Sequence, residues 1–435
     1  MLTPTVAGLI GLGLMLALLF LGVNLPLSFF IAGFVGVSLI LGFQGGLTYL
    51  RTIPVTTSMT YTLSVLPMFM LMGDLAVMGS LTTDAYATAR KWMGRLPGGL
   101  AITSTVASAI FGAICGSGQA TAMVMSQVAW PEMKRYGYNP LIGLSSIAAA
   151  GPLAILIPPS MPLIMYGILS ETSIGRLFMA GWLPGLLLTG LLCVTTLVLA
   201  KAKPTWAPAA EKTSMKEKIY SLKNTWPILI LVVFIMYCIW GGVTTINEAA
   251  GVGVVGCLAI VMFMRRAGFK TFWKTLQESS IMAAGLFFMF VGIQLFNSFM
   301  GFSKLPAILS AWVTNMNMSP MGIIWIIVIM YIILGCFIDT PVIMMLTIPL
   351  FAPVVAGLGF NLVWFGILST MCVALGSITP PVGICLFVIA ARIREVPIKI
   401  LYKGIWPYIV ATFAGTVLVI YFPTIALLLP NSMFG

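Results

Sequence analysis

The sequence predicts an all-α polytopic membrane protein built from two inverted repeats, and three observations carry that prediction. Hydrophobic residues make up 60% of the 435-residue chain and charged residues only 7%, against about 25% charged in soluble domains. The charges gather into short basic clusters between apolar runs long enough for bilayer-spanning helices, which need roughly 20 residues each. Landmarks of the first half recur in the second at a constant offset of 222 residues.

Taken in chain order, the first charge is Arg51, so the opening stretch is too long for one crossing. Asn24-Leu25-Pro26 is the turn within it, and spans are expected near 4–23, 27–46 and 57–80. The uncharged stretch 96–131 has bases at both ends, yet at about 1.5 Å per residue it is too long for one simple crossing. A re-entrant hairpin over about 97–133, with its tip at Gly116-Ser117-Gly118, satisfies both facts. A broken helix over 140–170 and a span over 176–200 follow. The polar, basic stretch 201–224 reads as a cytoplasmic linker between a first half, 1–200, and a second, 225–435. Spans near 226–244, 248–264 and 279–300 come next. Asp339 is the sole charge between Lys304 and Arg392. Turn signals at Asn315 to Pro320 and Gly357 to Asn361 divide that run into a second hairpin, about 320–355, and a second broken helix, 361–391. The last span lies at about 405–429.

The net charge of +12 does not point to nucleic acid, because the bases cluster at the ends of apolar runs. With Arg90-Lys91-Arg95, Lys134-Arg135, Lys201 to Lys223, Arg265 to Lys274 and Arg392 to Lys403 in the cytoplasm, 19 of the 22 Lys and Arg residues fall inside. Both termini then lie outside. No basic segment precedes the first apolar run, so no cleavable signal peptide is expected. The seven cysteines sit in apolar runs without paired spacing and read as small hydrophobes. Histidine is absent, and no clustered His/Cys/Asp/Glu set announces an enzyme or a resident cofactor. No G-x-x-x-x-G-K-[ST] motif occurs either, so energy must come from a gradient or another subunit.

The repeat is read from specific pairs. Met78-Gly79 falls on Met300-Gly301, Pro131 on Pro353, Gly137-Tyr138-Asn139 on Gly359-Phe360-Asn361, and Pro158-Pro159 on Pro380-Pro381. Five crossings and one hairpin per half make the second copy inverted relative to the first. Inverted repeats with interrupted helices are the architecture of secondary transporters, with sites near the midplane. An ion channel is disfavoured on the same ground. Four interruptions converge there: Gly116-Ser117-Gly118, Gly151 to Ser160, Gly335 to Pro341 and Gly376 to Pro381. Proline removes a backbone donor, and non-helical backbone at membrane depth survives only inside protein or beside a watery cavity. Freed carbonyls suit a small cation, and half-helix N-termini favour an anion. Ser377 and Thr379 add hydroxyls where the matching Ile157 adds none. Asp339 is costly in hydrocarbon and reads as cation-linked. Asp74 is balanced between a functional and a packing role.

Several strings resemble a known family. Gly116-Ser117-Gly118 is followed by Pro131-Glu132-Met133-Lys134-Arg135-Tyr136-Gly137-Tyr138, then by Ile155-Leu156-Ile157-Pro158-Pro159-Ser160. Ser173-Ile174-Gly175-Arg176-Leu177-Phe178 leads to Gly181-Trp182-Leu183-Pro184-Gly185, and the second half adds Phe337-Ile338-Asp339-Thr340 and Ile378-Thr379-Pro380-Pro381-Val382-Gly383. Over nearly the whole chain this resembles the large membrane subunit of tripartite ATP-independent periplasmic (TRAP) transporters. The resemblance implies an elevator-type importer of organic acids, carboxylates or sulfonates, in the bacterial inner membrane. It implies sodium as coupling ion, a periplasmic substrate-binding protein, and a separate small four-helix membrane subunit. Sodium ligands would come from Gly116, Ser117, Ile157, Pro158, Gly335, Asp339, Gly376 and Thr379. Substrate would meet Ser117, Gly118, Pro158, Ser160, Asp339, Thr340 and Pro380. The chain departs from the family pattern at Gly118, where a second serine is expected, and at Gly151-Pro152-Leu153-Ala154, where Gly-Thr-Leu-Gly is expected. A stand-alone dicarboxylate or inorganic-anion carrier of similar hairpin architecture is the rival reading.

Overall fold

The computed structural model describes residues 3–210, 213–264, 268–308, 311 and 318–433, and every regular element among them is helical. The expected turn at Asn315, the bases Arg265 and Arg266, and Lys212 of the linker lie outside the described residues. Seven described helices are long and apolar enough to cross a membrane, and up to nine if each of two bent pairs counts as one span. The chain is thus a multi-pass α-helical membrane protein.

The Asn24 side chain caps the second helix, Leu25–Ser58, by accepting from the Leu27 N–H at 3.2 Å. That helix does not end near 46 as expected. It kinks at Gly42, whose φ of 79° and ψ of 164° are open to a residue without Cβ, and then resumes to Ser58. The span expected at 57–80 correspondingly begins as a short 3-10 turn, Tyr61–Ser64, and becomes α-helical only over Val65–Met78. The long Phe269–Ser303 helix lies along Leu25–Ser58. Its Phe299 ring fills a notch left by Gly11 and Gly36, where an added Cβ would come within 2.4 and 2.3 Å of the ring. Phe29 meets Phe296 edge-on at 5.2 Å. Beside them, Val65–Met78 packs on Ile246–Phe263, with the Met72 thioether in the space opposite Gly253.

The remaining elements come in two matched sets. Gly99–Cys115 and Gly118–Arg135 form one pair of helices, Pro320–Phe337 and Thr340–Gly357 the other. Pro140–Ala150 passes through a 3-10 turn, Gly151–Ile155, and continues as Met161–Leu169; Leu362–Ser377 is followed by Ile384–Arg392. The starts at Gly118 and Thr340, and those at Pro140 and Leu362, are each 222 residues apart. Two large buried side chains of these sets are satisfied by backbone carbonyls. The Tyr166 hydroxyl donates to the Leu362 carbonyl at 2.7 Å, and the Trp364 indole to the Val419 carbonyl at 2.8 Å. Where Pro320–Phe337 crosses Leu362–Ser377, Gly335 and Gly376 let the two backbones touch. The outward ridge of Pro320–Phe337 is Ile326, Ile329, Ile333 and Phe337, each more than half exposed. So apolar an outer stripe belongs against lipid.

The stretch 201–224 is not a free linker. Ser214 and Glu217 form a reciprocal capping box that starts a helix running from Met215 to Trp240; the basic composition of the stretch masks that start signal. The part before it is strapped to the first half. Gly98 and Asn139 donate backbone N–H groups to the Ala207 and Trp206 carbonyls at 3.2 and 2.8 Å, and Ala210 donates to Gly94 at 2.9 Å. The Thr213 hydroxyl adds a bond to the Lys91 carbonyl at 2.7 Å. Lys91 belongs to Leu81–Met93, an amphipathic helix whose closing bases, Arg90 and Lys91, suit the negative end of its dipole. Nearby, Lys134 and Trp130 both donate to Glu395, at 2.5 and 3.0 Å, and hold its carboxyl below the usual carboxylate range.

The glycine crossing makes a direct prediction. A Cβ at Gly376 would lie 2.6 Å from the Gly335 Cα, whereas nothing lies within 4 Å of a Cβ at Gly190. Gly376→Ala should lower the melting temperature of the detergent-purified protein, at a cost of roughly 1–3 kcal/mol. Gly190→Ala should leave it unchanged or raise it slightly, since alanine is the better helix former. Equal melting of the two variants would contradict the crossing.

Candidate functional site

Two helix-pair tips face each other at the centre of the molecule. In the first, Gly99–Cys115 ends on Gly116, which adopts φ +62°, a left-handed turn that glycine takes without steric cost. Ser117 is extended and caps Gly118–Arg135, its hydroxyl accepting from the Ala120 N–H at 3.4 Å. In the second, Ile338 and Asp339 are extended, and Asp339 caps Thr340–Gly357 by accepting the Thr340 N–H at 2.6 Å. The Gln119 side-chain amide donates to the same Asp339 oxygen at 2.5 Å. One hydrogen bond therefore joins two tips that are far apart in sequence.

The helix breaks pack behind the tips. A Cβ on Gly118 would meet the Pro152 Cα at 3.2 Å, and one on Gly116 the Met161 nitrogen at 3.2 Å, so the first tip rests on the first break. The second tip reaches its own break through the Gly383 N–H, which donates to the Cys336 carbonyl at 3.2 Å. The Pro158-Pro159 and Pro380-Pro381 bonds are both cis. Ser160 caps Met161–Leu169 and its hydroxyl donates to the Ile155 carbonyl. Tyr402 donates to the Pro381 carbonyl at 2.6 Å, so part of the second break is already satisfied within the protein.

Tips and breaks enclose one side of a cavity of about 540 Å³. Gly116 to Ala120 and Ile338 to Pro341 line it, with Pro152, Ile155, Met161 and Pro162 from the first break and Ser377, Ile384 and Cys385 from the second. Away from the tips lies a helical stripe, Met282, Gly285, Leu286 and Met289, with Pro26 at one edge; Met70, Gly73 and Asp74 join it to the first tip, where Gly73 lies against Cys115. Asp74 accepts from the Ser279 hydroxyl at 2.5 Å.

Of the residues expected from sequence, Gly116, Ser117, Gly118, Asp339 and Thr340 line this cavity, whereas Ile157, Pro158, Ser160, Gly335, Gly376, Thr379 and Pro380 do not. Ile157 is buried against Gly185 and the Pro158 ring faces Gly181, while Gly335 and Gly376 make the helix crossing. The Thr379 hydroxyl donates to the Leu375 carbonyl at 2.7 Å, and the Ser160 oxygen is fully buried in its cap. These groups lie behind the lining or are bonded within the breaks, Pro158 turning into the neighbouring helix at Gly181. Sequence reasoning missed Gln119, whose only signal is a polar amide in an uncharged stretch. It also missed the Met282 to Met289 stripe, which on paper is indistinguishable from a core or lipid face.

The arrangement favours two opposite charges at once. Four helices begin at the cavity, at Gly118, Met161, Thr340 and Ile384, and their N-termini are the positive ends of helix dipoles. Asp74 and Asp339 supply carboxylates, and no Lys or Arg is among the described lining residues. No cluster of three or more His, Cys, Asp or Glu suited to a metal ion occurs among the described residues.

Comparison with known proteins agrees with a transport function. The family model described as tripartite ATP-independent periplasmic transporter, DctM component, matches residues 12–425. The chain is 32% identical to the C4-dicarboxylate TRAP transporter large permease protein DctM of Pseudomonas aeruginosa, over 90% of this chain and 93% of that one. It is also 32% identical to the ectoine/5-hydroxyectoine TRAP transporter large permease protein UehC of Ruegeria pomeroyi, over 86% and 87%. Among solved structures, the YdaH transporter of Alcanivorax borkumensis shares the fold with a TM-score of 0.65 at 15% identity, covering 87% of this chain and 89% of that one.

The bond between the tips is testable by a double-mutant cycle. Gln119→Leu should lower the melting temperature by the loss of a hydrogen bond to a charged group, about 1.5–3 kcal/mol. Asp339→Asn in the Gln119→Leu background should cost less than Asp339→Asn alone. Strictly additive effects would show that the two side chains do not interact.

Proposed function

The chain belongs to the tripartite ATP-independent periplasmic transporter family as its DctM component, and from that membership we propose a large permease subunit that imports a small organic anion with sodium as coupling ion. One observation carries the reading: a single cavity pairs two carboxylates with four helix N-termini. A carboxylate without a basic partner is costly inside a membrane protein and repels an incoming anion. Sodium bound at Asp339, with backbone oxygens of the tips and the Ser117 hydroxyl, removes that repulsion. The substrate anion then binds against the N-termini of Gly118–Arg135 and Met161–Leu169. Coupling follows, because each ion raises the affinity for the other by the same factor.

The matched helix starts support two repeats, and with five crossings and one re-entrant pair in each, the second is inverted. The two tips then enter from opposite sides, and they move with the breaks as one elevator against the Val65–Met78 and Phe269–Ser303 wall. The basic clusters place both termini on the periplasmic side of a bacterial inner membrane. The tripartite family implies two partners, a periplasmic substrate-binding protein and a separate small four-helix membrane subunit. The two relatives named above carry different substrates by name, so the substrate is argued from the cavity and not carried over. The second reading is a carrier of similar hairpin architecture that works without partners.

Uptake into proteoliposomes under an imposed sodium gradient separates these readings. With both partners present, uptake should require sodium, and Asp339→Asn should reduce it about tenfold or more, with a smaller loss for Ser117→Ala. Unaltered sodium dependence in both variants removes the proposed cation site. Full-rate uptake by this chain alone replaces the tripartite reading with the stand-alone one.

A further inference from the structure

We propose that the cavity takes an organic acid with a single negative charge and an apolar body, an aliphatic or aromatic monocarboxylate, in preference to a dicarboxylate or a polyhydroxylated acid. This rests on the transport reading above and narrows its substrate class. The cavity has two unlike walls. The tips and breaks present helix N-termini and the side chains of Ser117, Gln119, Asp339, Thr340 and Ser377. The facing wall presents Met282, Leu286 and Met289 with Met70 beside them, and Asp74 sits where the two sides meet, next to Gly73 against Cys115 and bonded to Ser279. A molecule lying across the cavity therefore meets hydrogen-bonding groups at one end and thioethers and aliphatic carbon at the other.

Charge decides against a second carboxylate. No Lys or Arg is among the described lining residues, so a second negative group in the cavity would meet the methionines or Asp74, with no cation to offset it. Polar capacity decides against a polyol. The hydrogen-bonding side chains lie on the tip side and at Asp74, and the methionine wall offers none. Hydroxyls laid on the methionine wall would lose water without gaining partners, which costs free energy for each one. Methionine side chains, unbranched and polarizable, instead adapt to apolar bodies of different outline and make favourable contacts with aromatic rings. Met282 is 56% exposed, so that wall is accessible.

Thermal melting of the full chain in lipid nanodiscs, with and without sodium, tests this with four acids: 4-methylpentanoate, phenylacetate, succinate and gluconate. In sodium, 4-methylpentanoate and phenylacetate should raise the melting temperature in a dose-dependent way, and succinate and gluconate should not. Met282→Gln should weaken the apparent affinity for 4-methylpentanoate about tenfold, the loss expected when a polar amide replaces an apolar contact. A shift with succinate or gluconate equal to that with the monocarboxylates overturns the proposal. So does silence from all four acids while sodium alone still stabilises the protein, a result that leaves the coupled-transport reading standing. Acid selectivity as expected but indifferent to sodium supports the substrate class and strikes only the coupling.

Discussion

A backbone that leaves the helix at membrane depth must satisfy its polar groups inside the protein, because hydrocarbon offers no partner. This chain leaves the helix four times near its centre, and the rest of the fold follows from sheltering those places. Each tip rests on the break of its own half, the first through Gly116 and Gly118 against Met161 and Pro152, the second through Cys336 against Gly383. Close approach requires residues without side chains, and glycines stand at the contact points. A Cβ on Gly112 would lie 2.6 Å from the Ala154 Cα in one half, much as one on Gly376 would lie 2.6 Å from the Gly335 Cα in the other. The long Phe269–Ser303 helix closes the cavity opposite the tips, with Val65–Met78 beside it and Pro26 of Leu25–Ser58 at one edge.

Much of the architecture was legible because membrane chemistry is harsh. Proline and glycine in apolar runs have few explanations, so the pairs at 158–159 and 380–381 located the breaks, and Gly116-Ser117-Gly118 located a tip. Asp339 stood out for the same reason. What the pattern could not convey was direction. Thr379 and Ser160 carry suitable oxygens, yet their hydroxyls serve carbonyls at Leu375 and Ile155. Spacing alone cannot tell whether a break turns its side chains toward a cavity or into the next helix. The Met282 to Met289 stripe was illegible for a different reason: an apolar helix face reads the same whether it meets lipid, core or ligand.

The family match and the cavity answer different questions. Membership says which machine the chain belongs to, and it rests on similarity across nearly its full length. The cavity says what chemistry the machine handles, and there the particulars of this chain matter. Gly118 stands where the family resemblance leads one to expect serine, and Gln119 beside it reaches across to Asp339. In the sodium-coupled reading proposed above, the amide occupies the carboxylate that the ion needs, so ion binding and the spacing between the tips are linked through one side chain.

The strap made by Trp206, Ala207, Ala210 and Thr213 ties the chain beyond residue 200 to the helices before it. Carbonyls of Trp206 and Ala207 serve N–H groups of Asn139 and Gly98, which are otherwise the open starts of two helices. The strap therefore completes helices that precede it in the chain, as a last thread closes a seam. A gene divided after residue 200 would strand those donors, whereas one divided beside Ser214 would keep the first half whole. The natural seam of the molecule lies at the capping box, a dozen residues beyond the point where the hydrophobicity stops.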